Sequence, residues 1–231
     1  MKIDLLDHGY IRLVDHMGDD LSIIRSARVS HAADWRTGED ADKDEKLIRY
    51  LMFHRHTTPF ESVTFTFEVK APIFVYRQWH RHRTQSYNEV SARYTELPEE
   101  YYIPNLEHIG TQSKTTKQAR NMEVQSKMAG QYRNYLKTHS ETGFKEYRMA
   151  LDIGIPRELA RLFLSFNTYS RMFTTMNLHN LLHFLHLRLD EHAQYEIRVY
   201  AEAIRELIEP IVPISMQAWE DWRTRLTVHP N

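Results

Sequence analysis

Residues 77–93 read Arg77-Gln78-Trp79-His80-Arg81-His82-Arg83-Thr84-Gln85-Ser86-Tyr87-Asn88-Glu89-Val90-Ser91-Ala92-Arg93, with four arginines and two histidines against the single acid Glu89. The rest of the chain is nearly balanced, with 30 Lys and Arg against 31 Asp and Glu and a net charge of -1. These cations are therefore a local concentration. A guanidinium presents a rigid fork of donors that grips phosphate oxygens two at a time. Gln78, Ser86, Asn88 and Ser91 add neutral hydrogen-bonding groups, and Glu89 can accept from a sugar hydroxyl or a base. The mixture suits a phosphorylated small molecule better than a nucleic-acid track, although a solvated basic loop would have the same composition.

The elements on either side mix helices with a few strands. Immediately upstream, Val63, Phe65, Phe67 and Val69 alternate with polar residues, the period of a half-buried strand. Pro72 then suits the first turn of a helix carrying Ile73 to Trp79. Further back, Gly9 to Asp15 reads as a strand and Asp20 as the cap of a helix through Ile23, Ile24, Ala27 and Val29. Asp42 and Glu45 have capping-box spacing ahead of Leu47, Ile48, Leu51 and Met52, in a helix that Thr58-Pro59 ends. Downstream, residues 105–116 read as an irregular loop, followed by helical patterning through Met122, Met128, Tyr132 and Leu136. Pro156 starts a helix with Leu159, Leu162 and Phe163 on one face, and Thr168 to Met176 reads as a strand. Two helices follow, one with a stripe from Leu178 to Leu189 and one running from Ala193 through Tyr200 to Leu207. Without strict βαβ alternation, the class expected is α+β.

Composition closes several routes. The chain contains no cysteine, which excludes disulfides, thiolate-bound metal clusters and a cysteine nucleophile. Its seven glycines form neither G-x-G-x-x-G nor a P-loop, so any nucleotide cofactor would have to be held without a Rossmann turn. No apolar run is long enough to span a bilayer. Met1 to His8 has acids among its apolar residues, unlike a signal peptide, so a cytoplasmic enzyme is expected.

The order of residues within the basic stretch is more specific than its composition. Arg81-His82-Arg83, Ser86, Asn88, Ser91 and Arg93 stand as R-H-R-x-x-S-x-N-x-x-S-x-R. This resembles the signature of the flavin-dependent thymidylate synthases at every fixed position. The resemblance extends to Ser26–Ser30, to His56-Thr57-Thr58-Pro59-Phe60-Glu61, to Pro156–Arg161 and to Leu187–Gln194. Ser62 stands where many members have histidine, and residues 105–150 match no fixed motif of the family.

The resemblance implies one domain over residues 1–231, with mixed helices around a central, mainly antiparallel twisted sheet and a non-Rossmann flavin site. It implies reductive methylation of dUMP to dTMP, with methylene-tetrahydrofolate as carbon donor and FAD reduced by NADPH as hydride source. Arg188 matches the arginine beside the pyrimidine, where a fixed cation favours a uracil ionised at N3. Gln78, Arg93 and Arg161 match dUMP-binding positions that include a phosphate clamp, with Arg81 and Glu89-Val90-Ser91-Ala92 lining the same pocket. Thr58, Arg81, His82, Arg83, Glu89 and Asn177 match flavin-binding positions, His179 and His183 further flavin contacts, and His56 a place beside the isoalloxazine. Ser91 is read as a positioning hydroxyl, because no G-x-S-x-G elbow surrounds it. The family also implies a homotetramer with sites shared between subunits, without nucleic acid or membrane as partner.

Two other readings compete. His179, His183 and His186, with Asp190, have the helical spacing of a metal site, although H-E-x-x-H is absent. Residues 114–137 carry six basic side chains and one acid, either a solvated helix face, a nucleic-acid track or a dock for an anionic folate tail. Phe166, Tyr169, Met172, Phe173 and Met176 read as packing in a buried strand or a subunit interface.

Overall fold

The computed structural model describes residues 1–114, 120–121 and 126–228. Its strands are β1 (Lys2–Leu5), β2 (Gly9–Met17), β3 (Thr64–Pro72), β4 (Ser86–Glu89), β5 (Thr111–Gln112), β6 (Arg120–Asn121) and β7 (Tyr169–Asn177). Its helices are α1 (Asp20–Arg28), α2 (Ala41–Phe53), α3 (Ile73–Trp79), α4 (Ser126–Asp152), α5 (Arg157–Ala160), α6 (Leu178–Arg188), α7 (Tyr195–Ile208) and α8 (Pro213–Val228). A five-stranded sheet runs β1-β2-β3-β7-β4 with every neighbouring pair antiparallel, and β5 pairs separately with β6. This is the α+β class expected.

The centre of the sheet follows from the alternation read in the sequence. β3 pairs with β7 from Thr64↔Asn177 to Pro72↔Tyr169, and Val63, Phe65, Phe67 and Val69 are all 0% exposed. A strand sends alternate side chains to opposite faces, so these apolar residues share one face. They meet Ile48, Trp79, Leu181, Phe184 and Ile204 in one continuous core. Each such side chain contributes about 1.5–3 kcal/mol on burial.

Two helices leave opposite ends of this central pair. α3 starts where β3 ends, at the Pro72↔Tyr169 end, and the Tyr76 hydroxyl accepts from the Ala71 N–H at 3.2 Å. α6 starts at the Thr64↔Asn177 end, where the Leu178 N–H donates to the Val63 carbonyl at 2.8 Å. Their C-terminal halves converge, with Trp79 packed on Phe184 at 4.8 Å between ring centres. That convergence builds the site.

Several boundaries differ from the sequence reading. Asp19 caps α1, its backbone being extended and its side chain accepting from the Ser22 N–H at 3.0 Å. Asp20 is buried and caps the start of α8 instead, accepting from the Ile214 and Ser215 N–H groups at 2.8 and 3.1 Å. Asp40 caps α2 through the Lys43 N–H, whereas Asp42 lies inside the first turn. That helix ends at Phe53, and Thr58–Ser62 forms a separate 3-10 turn. Pro72 belongs to the end of β3, just before α3. The helix after Pro156 stops at Ala160, and Leu159, Leu162 and Phe163 are exposed. The 3-10 turn that follows, Arg161–Phe163, lies against Gly143 of α4, where a Cβ would lie 2.6 Å from the Phe163 carbonyl oxygen. The basic stretch contains the edge strand β4, which no alternation in its sequence marks. Met122 lies outside the described residues. No helix among those described is long and apolar enough to cross a membrane.

Candidate active site

Arg188, in the last turn of α6, is half-buried and makes no ion pair among the described residues. Its Nε donates to His82 Nε2 at 3.0 Å and its Nη2 donates to the Gln78 carbonyl at 3.3 Å. Burial lowers the Arg188 pKa, yet a guanidinium starts so high that it stays charged. His82 cannot share that charge. Burial, the Arg188 cation and His183 together lower its pKa to about 4, so near neutrality it is an uncharged acceptor. Phe184 and His183 pack edge-on against the His82 ring at 4.8 and 5.9 Å. The result is a cation held by neutral groups, with its charge uncompensated by any acid of the chain that is described.

The loop carrying Arg81, His82 and Arg83 is fixed by Gln85, a residue that the sequence reading passed over. Gln85 Nε2 donates to the His82 and Trp79 carbonyls at 2.7 and 3.2 Å. Its Oε1 accepts from Trp79 Nε1 at 3.2 Å and from Thr174 Oγ1 at 2.6 Å. One carboxamide thereby ties the loop to α3 and to β7. In the sequence Gln85 stands between Thr84 and Ser86 with no pattern to mark it. Arg81 and Arg83 point from this loop as exposed side chains without an ion-pair partner among the described residues.

Along α6, Asn177 caps the helix by accepting from the Asn180 N–H at 3.0 Å. His179, His183 and His186 line a cleft of about 670 Å³ with Arg55, Thr57, Trp219 and Trp222. Burial lowers the pKa values of His179 and His186, and His186 Nδ1 is buried without a partner. Arg55 adopts a left-handed backbone, φ 59°, and lays its guanidinium over Trp222 at 4.9 Å. Thr58 and His56 are exposed nearby in sequence, the His56 ring lying 5.7 Å from Tyr50. No group of three or more His, Asp or Glu side chains gathers at metal-binding distance among the described residues. Asp190 turns instead to the His192 N–H, 2.8 Å away.

A second cluster forms where β4 runs out. The Val90 N–H donates to the Arg171 carbonyl at 2.8 Å, and Ser91 Oγ accepts from the Arg93 N–H at 3.3 Å. Arg93 Nε lies 3.5 Å from a carboxylate oxygen of Glu158, and Arg161 Nε donates to the Glu158 carbonyl at 3.3 Å. Ser91, Arg93 and Arg161 are thus brought together with Glu158 between them. Glu89 and Ala92 flank the same turn. No hydrogen bond or ion pair joins this cluster to Arg188 among the described residues, so the chain carries two arginine groups, one half-buried and one exposed.

The five-stranded antiparallel sheet with helices packed on it, carrying a half-buried arginine without an acidic partner among the described residues, is a non-Rossmann α+β class of protein. The chain belongs to the thymidylate synthase complementing protein family, whose sequence model matches residues 12–214. It is 45% identical over 218 residues to the flavin-dependent thymidylate synthase of Ehrlichia ruminantium (strain Gardel), covering 94% of this chain and 72% of that one. It is 44% identical over 223 residues to the enzyme of the same name from Gluconobacter oxydans, covering 95% and 73%. It is also similar to the crystal structure of a UMP/dUMP methylase, PolB from Streptomyces cacaoi, bound with 5-Br dUMP. That match has a TM-score of 0.86 and 35% identity, and covers 95% of this chain and 97% of that one.

Proposed function

We propose that this chain makes dTMP from dUMP, taking the carbon from methylene-tetrahydrofolate and electrons from NADPH, with FAD as resident cofactor and tetrahydrofolate as product. The observation that carries the reading is the half-buried Arg188, held by the neutral His82 and the Gln78 carbonyl with no acid beside it. A uracil ionised at N3 is stabilised by such a cation in a partly dry site more than the same cation would manage in water.

The donors fit a flavin dinucleotide. Exposed Arg81 and Arg83, without ion-pair partners among the described residues, suit its pyrophosphate. Asn177, His179 and His183 at and along α6, with Thr58 and His56 from the turn before β3, offer polar groups to its rings and sugars. Bound FAD supplies the hydride that the side chains of this sequence cannot. Arg188 holds the pyrimidine, Gln78 orients its edge, and Arg93 with Arg161 takes the phosphate. Glu89 accepts from a sugar hydroxyl, while the backbone from Val90 to Ala92 lines the pocket. No hydrogen bond or ion pair joins the two arginine groups among the described residues, and we read the protein as a homotetramer that completes each site across subunits. We further read residues 1–231 as one domain acting in the cytoplasm, with no nucleic-acid partner.

The test is the visible spectrum of the purified protein before and after anaerobic NADPH, followed by dTMP formation from dUMP and methylene-tetrahydrofolate. Flavin bands that bleach, with dTMP as product, are expected. A colourless protein that takes up no FAD would falsify the reading.

A further inference from the structure

We propose that Glu196 is a positioning residue that sets the direction of the Gln78 carboxamide, acting through Gln194. The inference rests on the reading of Gln78 as a substrate-binding side chain. Glu196, in the first turn of α7, is 2% exposed. Its Oε1 accepts from the Tyr102 hydroxyl at 3.1 Å. Its Oε2 accepts from Arg120 Nη2 at 2.5 Å and from Gln194 Nε2 at 2.8 Å. Burial opposes the charge, yet the Arg120 guanidinium and these donors hold the carboxyl below its usual range.

An ionised carboxylate only accepts, whereas a carboxamide presents a donor on one side and an acceptor on the other, in nearly the same shape. The end of Gln194 that faces Glu196 must therefore be Nε2. Its Oε1 then faces Gln78, and Gln78 must answer with Nε2, the bond observed between them. The direction fixed at Glu196 is passed along two amides to the last turn of α3, where the Gln78 carbonyl already receives Arg188. What Gln78 has left for a ligand is its Oε1 and one Nε2 hydrogen, in a single order. A uracil edge carries N3 between two carbonyl oxygens, so that order decides which of its atoms are matched. A reversed carboxamide would set oxygen against oxygen. Arg120 donates to the same oxygen as Gln194, so a glutamine at 196 would keep its carbonyl there and the relay its direction, whereas a side chain with no acceptor at 196 leaves either direction open.

The experiment measures dUMP affinity by calorimetry on FAD-loaded wild type and variants, with kcat, KM and thermal midpoints alongside. Glu196→Met, which removes the acceptor, should weaken dUMP binding about tenfold, the worth of one directed hydrogen bond, raising KM more than it lowers kcat. Glu196→Gln keeps an acceptor oxygen for Arg120 and Gln194 and should retain most of the wild-type affinity. An unchanged affinity in Glu196→Met overturns the proposal, as does a Glu196→Gln variant no better than Glu196→Met. If Glu196→Met fails to fold, Gln194→Met removes the middle of the relay and leaves the buried acid in place. The same tenfold loss is expected there, and unchanged affinity again overturns the proposal. Wild type that binds dUMP yet makes no dTMP overturns the functional reading, while the relay is still judged by the affinities. Wild type that does not bind dUMP overturns both.

Discussion

Arg188 and Arg93 carry the same guanidinium in opposite settings. Arg188 is half-buried and held by a neutral imidazole and a carbonyl. Arg93 is exposed and lies 3.5 Å from Glu158, each side chain of that pair being more than half accessible. The physics differs accordingly. An exposed ion pair contributes at most about 1 kcal/mol, so a phosphate can displace Glu158 from Arg93 at little cost. A partly desolvated cation with no acid acts at higher strength on whatever anion arrives. On the proposed function, the exposed group would capture the anion and the half-buried group would stabilise charge that develops during reaction.

The largest effect should come from removing the buried cation. Arg188→Ala should retain flavin and lose dTMP formation on the order of 10²-fold or more, the range seen when one preorganised donor is deleted. Arg188→Lys keeps a charge but lacks the fork that reaches both His82 and Gln78, so only partial recovery is expected. Wild-type turnover in either variant would break the contrast between the two arginines.

Next comes the neutrality of His82. Its folded pKa is about 4, against an ordinary value of 6.5. As pH falls below about 6.5 the unfolded chain binds a proton that the folded one refuses until about 4, so stability drops across that interval. His82→Asn still offers Arg188 an acceptor but does not titrate. Thermal midpoints measured from pH 7 to 4.5 should therefore fall less steeply for His82→Asn than for wild type. Equal slopes would mean that His82 is not held neutral in the folded chain.

Arg93→Ala should weaken dUMP binding about tenfold with a smaller change in kcat, since a charged hydrogen bond is worth about 1.5–3 kcal/mol and Arg161 remains. Unchanged dUMP affinity would remove the exposed cluster from phosphate capture.

How much of this was legible in sequence depended on whether the signal was local. The alternation of Val63, Phe65, Phe67 and Val69 needs only the strand period, and all four side chains reached the core. Strand β4 has no such signal, because each of its residues is exposed and only its pairing with β7 makes it a strand. Asp20 looked like a local cap, but its partners are Ile214 and Ser215, far along the chain. Leu159, Leu162 and Phe163 have the spacing of one helical face, yet all three are exposed and the small Ala160 is the residue buried there. In the site, Arg81, His82 and Arg83 were found from their order. The neutrality of His82 came from elements more than 100 residues away, since Arg188 lies 106 positions further on. Glu196 escaped for the same reason, since Tyr102 and Arg120 reach it only through the fold, as did the bond from Thr174 to Gln85.

The smallest effect is also the one that most sharpens the comparison. Glu158 reaches Arg93 with its carboxylate, but Arg161 only with its backbone carbonyl. Glu158→Gln therefore removes the charge that competes for Arg93 and leaves the anchor of Arg161 intact. If the acid is a placeholder for phosphate, dUMP should bind about twofold to threefold tighter at low salt, a fraction of the 1 kcal/mol ceiling for exposed pairs. The gain should fade at high salt, because the screening length contracts from about 10 Å at 0.1 M to about 3 Å at 1 M. Titrations at both ends of that range decide the matter. Weaker binding in Glu158→Gln at low salt would mean that the acid orients Arg93 instead of competing for it, and the exposed cluster would then be as preorganised as the buried one.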